Sequence, residues 1–258
     1  MFVRLFKAEE EFVGRFENKV ALVTGGGGSI GSAICSAFAA QGATVIVCDI
    51  AAAACERTVS TIEKNGGRAE AAVCDITDTE AVNALVADLV ARHTKIDILV
   101  NNAGGIDDAR IQNMTDEQWD KIVDLVLKAS FVLSRACVET LKRSRGRIVN
   151  IGSMSYKGNP GQANYSAAKA GLVGLTKALG LELAKHGVTV NLVAPGLVAG
   201  PSLDALGEEV AARLAKVIPI GRPATGAEIA HAVMFFADET SAPITRQVLH
   251  VSGGHEGF

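Results

Sequence analysis

Between Lys19 and the C-terminus, short β-branched and aliphatic runs alternate with longer stretches of helical spacing. The strand-like runs are Val20–Thr24, Thr44–Cys48, Arg68–Cys74, Ile96–Val100, Gly146–Ile151, Val188–Val193 and Gln247–Val251. Several stay apolar for four or five residues with no in–out alternation. Strands covered on both faces look like that, and they belong to parallel sheets packed between helices. Helices are predicted over Ile30–Gln41, Ala53–Lys64, Asp78–Arg92, Asn164–Lys185 and Ala227–Phe236, with a long, once-interrupted helix over Trp119–Leu141. Gly42 and the Gly66-Gly67 pair are natural helix stops, and Thr115-Asp-Glu-Gln118 has capping-box spacing. Six or seven strand–helix units without a linker predict one doubly wound α/β domain, with a mostly parallel sheet and helices on both faces. A chain of 258 residues can bury one large core without a disulfide or metal staple. Residues 1–18, charged with scattered Phe and Val, read as an extension to a domain spanning 19–258, either loose or a short amphipathic helix.

Charge narrows the partners. Lys and Arg number 25 against 28 Asp and Glu, giving a net charge of -3. A nucleic-acid binder more usually shows a basic surplus or stripe, so no nucleic-acid partner is expected. The cysteines at 35, 48, 55, 74 and 137 are odd in number and form no CxxC. They read as small core thiols in a reducing compartment, and no metal site is expected. The N-terminal stretch carries acids too early for a secretory signal. The chain contains no apolar, charge-free run of the roughly 18 residues a membrane span needs. A soluble, cytoplasmic protein without a membrane partner is the expectation.

The first strand empties into Gly25-Gly26-Gly27-Gly28-Ser29-Ile30-Gly31 and then a helix. Glycines there let backbone approach an anion, and the helix N-terminus favours a pyrophosphate. Gly31 lets the first helical turn pack on the sheet. The next strand ends at Asp49, 24 residues beyond Gly25. That is near the usual distance for the acid that bonds the adenosine ribose. A 2′-phosphate would meet like charge at Asp49, and no Lys or Arg stands in the glycine loop or directly after it. These features predict NAD rather than NADP. Asp75, after the third strand, is a candidate acceptor for the adenine amino group.

Tyr165 and Lys169 lie four residues apart near the start of a long helix, hence on one face. A phenol titrates near pH 10, too high for an efficient proton donor or acceptor. A nearby ammonium would pull it down. Taken alone, such a pair is common. Ser153, twelve residues before Tyr165, follows a strand at the carboxyl edge of the sheet, where ligands of open α/β sheets collect. Its surroundings, Ile-Gly-Ser-Met-Ser, are not a hydrolase nucleophile elbow.

Together these residues resemble a short-chain dehydrogenase/reductase of the compact single-domain type, over about residues 19–254. Thr24-Gly25 with Ile30-Gly31 resembles the family's TGxxxGxG loop, and Asn101-Asn102-Ala103-Gly104 matches its NNAG element. The resemblance implies a Rossmann-like fold. It makes Ser153, Tyr165 and Lys169 catalytic, with Tyr165 and Lys169 also holding the cofactor. It also implies cofactor contacts from Gly25, Ser29, Ile30, Gly31, Asp49, Asp75, Ile76, Asn102, Pro195, Gly196 and Val198, and a homotetramer built on the two long helices.

Four positions depart from the family pattern. Ser29 stands where glycine is usual, either as a turn residue or as an extra pyrophosphate donor. Val126 stands where an asparagine would hold water linking the lysine to solvent; Ser130, one turn on, is a candidate substitute. The Ser153–Tyr165 spacing is one residue short. Gly200 replaces a threonine that often bonds the carboxamide.

The predicted reaction is interconversion of a secondary alcohol, or a hydroxyacyl group, with its ketone. A lid over about 197–218, with Leu203, Leu206, Val210 and Leu214 at helical spacing, and walls from Met154 and Ile106, would admit a small apolar alcohol or ketone or an acyl thioester. Gly161–Tyr165 is similar to 3-oxoacyl carrier-protein reductases, which usually take NADP. The alternatives are therefore an NADP-linked 3-oxoacyl reductase, or a catalytically weak dinucleotide-binding or scaffold protein of the same fold.

Overall fold

A computed structural model of the chain describes residues 14–205 and 207–256. Seven strands form one sheet: β1 (Val20–Thr24), β2 (Thr44–Asp49), β3 (Arg68–Val73), β4 (Ile98–Asn101), β5 (Arg147–Ile151), β6 (Thr189–Pro195) and β7 (Val248–Val251). Their order is β3-β2-β1-β4-β5-β6-β7, and every neighbouring pair is parallel. Leu22 of β1 lies opposite Ile46 on one side and Leu99 on the other. The chain winds outward from β1 to β3 and then returns to the far side of β1. That reversal opens a crevice beyond the carboxyl ends of β1 and β4, where such sheets bind ligands.

The helices are α1 (Ser29–Ala40), α2 (Ala52–Lys64), α3 (Thr79–His93), α4 (Asp116–Val123), α5 (Ala129–Ser144), α6 (Ala163–Leu183), α7 (Pro201–Asp204), α8 (Glu208–Ala215) and α9 (Gly226–Ala237). Ala21, Val23, Val45 and Val47 face Ile34 and Phe38 of α1 and Ile229, Val233 and Phe236 of α9 in one buried cluster. The alternate strand residues Leu22, Ile46, Leu99 and Ile148 meet Val86 and Leu89 of α3 and Leu133, Cys137 and Leu141 of α5 in another. The missing polar alternation in the strands thus reflects burial on both faces. All five cysteines are free and buried. No helix among the described residues is long and apolar enough to cross a membrane.

Several boundaries differ from expectation for identifiable reasons. The capping box of Thr115 and Gln118 forms, so α4 starts at Asp116. The predicted interruption is a π-helical turn over Asp124–Lys128, and α5 then runs to Ser144. The expected apolar face of the lid is divided between α7 and α8. Leu203 is buried, Val210 and Leu214 are half-buried, and Leu206 lies outside the described residues. The end of the N-terminal extension packs on the body: Phe16 is buried edge-on against Phe38, ring centroids 4.9 Å apart, and Arg15 pairs with Asp238. Residues 1–13 lie outside the described part.

Candidate active site

The glycine loop is shaped by close contacts. Gly25 adopts φ +61°, and a Cβ on Gly31 would fall 2.0 Å from the Gly25 carbonyl oxygen. The Asn102 side-chain amide donates to the carbonyls of Thr24 (2.8 Å) and Gly25 (3.2 Å). The Thr24 hydroxyl accepts from the amides of Asn102 and Ala103. This clamp fixes the loop to the end of β4. Gly28 caps α1 without a side-chain bond, and no acidic residue occupies its first turn. The helix therefore presents free amides and its positive end to the crevice.

Two adjoining hollows occupy the crevice. One, of about 180 Å³, is lined by Gly25, Asp49, Asp75 and Ile76 together with Cys48 and Cys74. Asp49 is pinned there: one oxygen accepts from the Gly27 amide and the other from the Ala51 amide, each at 3.1 Å. Asp75 accepts from the Thr77 amide and hydroxyl, which hold its carboxyl below the usual range. No basic side chain is among those lining this hollow. The other, of about 390 Å³, is lined by Ser29, Ile30, Asn102, Ser153, Tyr165, Lys169, Pro195, Gly196 and Val198, with apolar walls from Ile106, Leu197 and Leu203. Gly31 sits in the packed turn beneath. A dinucleotide could place its adenosine in the smaller hollow, its pyrophosphate at the open end of α1 and its nicotinamide in the larger hollow.

Ser153 ends the β5 connection and caps the following turn, its hydroxyl oxygen accepting from the Ser155 amide at 3.1 Å. Its own hydrogen is directed at the Tyr165 phenol oxygen. Asn164 is fully buried; its amide donates to the carbonyls of Asp107 and Gln118, and its oxygen accepts from the Tyr165 amide. That residue places the first turn of α6, and nothing in its sequence context distinguishes it from a helix-start asparagine. Lys169 is 3% exposed and donates to the Ile151 carbonyl at 2.6 Å. Burial pushes its ammonium down to about 8. Its Nζ lies 5.5 Å from the centre of the Tyr165 ring.

Three expectations need correction. Burial raises the Tyr165 phenol, aided by the charge of Asp108 and opposed by the Ser153 hydroxyl. The ammonium does not lower it here, because Lys169 is directed to the Ile151 carbonyl and is itself desolvated. Ser130 does not replace the missing asparagine: its hydroxyl donates to the Val126 carbonyl at 2.7 Å. Met154 is no pocket wall but core, packed with Leu172, Leu192 and Ala194. Two of the four departures meet in space, since a Cβ on Gly200 would lie 2.8 Å from the Ser29 hydroxyl oxygen. Among the described residues no group of His, Cys, Asp and Glu could hold a metal ion.

Residues 26–256 match the family model described as enoyl-(acyl carrier protein) reductase. The chain is a short-chain dehydrogenase/reductase. Among curated proteins this short-chain dehydrogenase/reductase is 40% identical over 242 residues to the 3-oxoacyl-[acyl-carrier-protein] reductase FabG of Escherichia coli K12, covering 93% of this chain and 98% of that one. It is 39% identical over 243 residues to the (2S)-[(R)-hydroxy(phenyl)methyl]succinyl-CoA dehydrogenase subunit BbsD of Thauera aromatica, covering 94% and 98%. It is 38% identical over 242 residues to the FabG of Thermotoga maritima, covering 93% and 98%. Membership makes this chain an oxidoreductase that works with a nicotinamide dinucleotide on a carbonyl or hydroxyl group.

Proposed function

We propose that the chain interconverts a 3-oxoacyl thioester and the 3-hydroxyacyl thioester, with NAD(H) as its cofactor. The bound nicotinamide would supply the hydride chemistry. In the reducing direction Tyr165 gives its proton to the carbonyl oxygen as charge develops there. Ser153, whose hydroxyl stands beside the phenol, would turn its hydrogen to that oxygen, orient it and help stabilise the charge. Lys169, held by the Ile151 carbonyl, lines the same hollow, where it would hold the nicotinamide ribose. Ile106, Leu197 and Leu203 suit the aliphatic part of an acyl chain. The names of the relatives favour a thioester over a plain secondary alcohol.

The cofactor preference rests on one observation. Asp49, held by two backbone amides, shares the adenosine hollow with Asp75 and with no basic side chain. A 2′-phosphate would have to sit beside two carboxylates without a counter-charge. The resemblance to 3-oxoacyl carrier-protein reductases speaks for NADP, and the local charge speaks against it. Reduction of acetoacetyl-CoA decides the matter. The expected result is a kcat/KM with NADH above that with NADPH by about tenfold or more, equivalent to about 1.4 kcal/mol. An NADPH preference would establish the NADP-linked reading. Binding of NADH without turnover of any thioester or secondary alcohol would favour the catalytically weak reading, to which Val126 lends its weight. We also propose that the protein assembles as a homotetramer through α5 and α6.

A further inference from the structure

The side of the Tyr165–Lys169 pair that faces α4 and the π turn is apolar and buried. Val126 is 1% exposed and packs with Ile122 and Ala168, against which Tyr165, Val123 and Leu127 also lie. The Val126 methyl and the Lys169 Nζ both border Gly104: a Cβ there would be 3.8 Å from one and 3.9 Å from the other. A π-helical turn runs over Asp124–Lys128 at this level. Here the Val126 carbonyl is taken by the Ser130 hydroxyl.

The polar groups further in offer no exit. The Ser134 hydroxyl donates to the Ser130 carbonyl, and the Thr176 hydroxyl to the Leu172 carbonyl. Asn101 and Asn150 link these hydroxyls across the sheet. Each hydroxyl hydrogen is thus committed to a carbonyl of its own helix, and a carbonyl passes no proton on. The charged groups around the pair complete the account. From the loop after β4, Asp108 acts on Tyr165 and Asp107 is engaged by Lys121. On the π turn, Asp124 and Lys128 pair with each other at 3.2 Å.

We propose that Val126, with Ile122 and Ala168, seals the pair from the helix side, so that the catalytic proton exchanges with water only through the cleft mouth. Val126 is a positioning residue that acts through Lys169 and Tyr165. The consequence depends on the function proposed above. In the reducing direction a hydride, which bound NADH would supply, adds to the carbonyl carbon with its electron pair. The C=O π pair moves to oxygen, which takes the proton of the Tyr165 phenol. The phenolate then stays unprotonated while the product fills the cleft, and takes a proton from water after the alcohol leaves.

A single turnover of acetoacetyl-CoA with NADH in weak buffer, with a pH indicator, reads this order. In the native protein, proton uptake should trail the fall at 340 nm. In Val126→Asn the two traces should coincide. Proton uptake in step with NADH loss in the native protein would overturn the seal. A second reading needs no cofactor or turnover. Water admitted by Val126→Asn should return the Lys169 ammonium toward its ordinary value, moving the alkaline stability rise of the cofactor-free protein to higher pH. An unmoved rise in a folded Val126→Asn protein also overturns the seal. If Asn at this position prevents folding, the near-isosteric Val126→Thr serves in both measurements. Absence of turnover with either cofactor would reject the proposed function, while the stability curve would still test the seal.

Discussion

With one carbonyl acceptor and 3% of its surface exposed, Lys169 gives up most of its hydration. Burial therefore lowers its proton affinity to about 8, whereas in the unfolded chain it titrates near 10.4. Between these values the unfolded chain binds the extra proton, so stability should rise as pH increases from about 8 to about 10.5 and should be flat for this group below 8. Lys169→Met removes the buried charge. It should raise the thermal midpoint at pH 7, by the equivalent of up to about 3 kcal/mol, and should abolish the alkaline rise, as calorimetry across pH 6–11 would show. A lower midpoint would mean that the bond to Ile151 outweighs the desolvation cost. Tyr165→Phe makes the complementary change. It deletes the proposed proton donor while keeping the ring, and should cost about 10²–10⁴ in kcat, measured at saturating NADH. These two residues could be read in the sequence from their one-turn spacing. The direction of the phenol shift could not, because it depends on where the ammonium points, and that is set by a backbone carbonyl eighteen residues earlier in the chain.

Local chemistry at the start of α4 controls the element that backs the site. The Thr115 hydroxyl accepts from the Gln118 amide, and the Gln118 side-chain oxygen accepts from the Thr115 amide. Gln118 also donates to Asp107 through its side-chain nitrogen. One residue pair thus fixes the helix start and the loop leading from β4 into the cleft. Thr115→Ala should lower stability by about 1 kcal/mol, measured as a fall in the urea midpoint at constant m-value; no change would mean that the cap is redundant with the Asp107 contacts. This start was legible, because capping is a short-range pattern. So were the seven strands, most of them as apolar runs; β3, with Arg68 and Glu70, is the exception. Their ends were less so: β4 begins two residues later than expected, at Ile98. The Asp97 carboxylate instead accepts from the Val20 amide, a contact 77 positions apart in the chain. The divided lid is a similar case. Regular apolar spacing cannot reveal the left-handed glycine at 207, which separates α7 from α8.

At the scale of the whole molecule, α6 has two unlike faces. One is buried, with Ala168, Lys169, Leu172 and Thr176 against the body and the proposed catalytic centre. The opposite side exposes Ala167, Ala170, Gly174, Ala178 and Leu181, at intervals that keep them on one stripe. Small residues let another helix approach closely, and an exposed Leu181 with 66% of its surface in solvent is apolar area that association would cover. Gly174 separates the possibilities cleanly. A Cβ built there meets nothing within 4 Å, so a larger side chain costs the single chain no packing. Replacing glycine inside a helix should even stabilise it, by up to about 1 kcal/mol. Gly174→Leu should therefore leave the far-ultraviolet circular dichroism unchanged and strengthen the isolated chain, yet split the proposed tetramer into smaller species by analytical ultracentrifugation. Because α6 also carries Tyr165 and Lys169, loss of the helix pairing should lower kcat more than it changes the KM for NADH. A Gly174→Leu protein with the sedimentation coefficient of the native one would show that this stripe faces solvent, and would move the assembly surface elsewhere on the molecule.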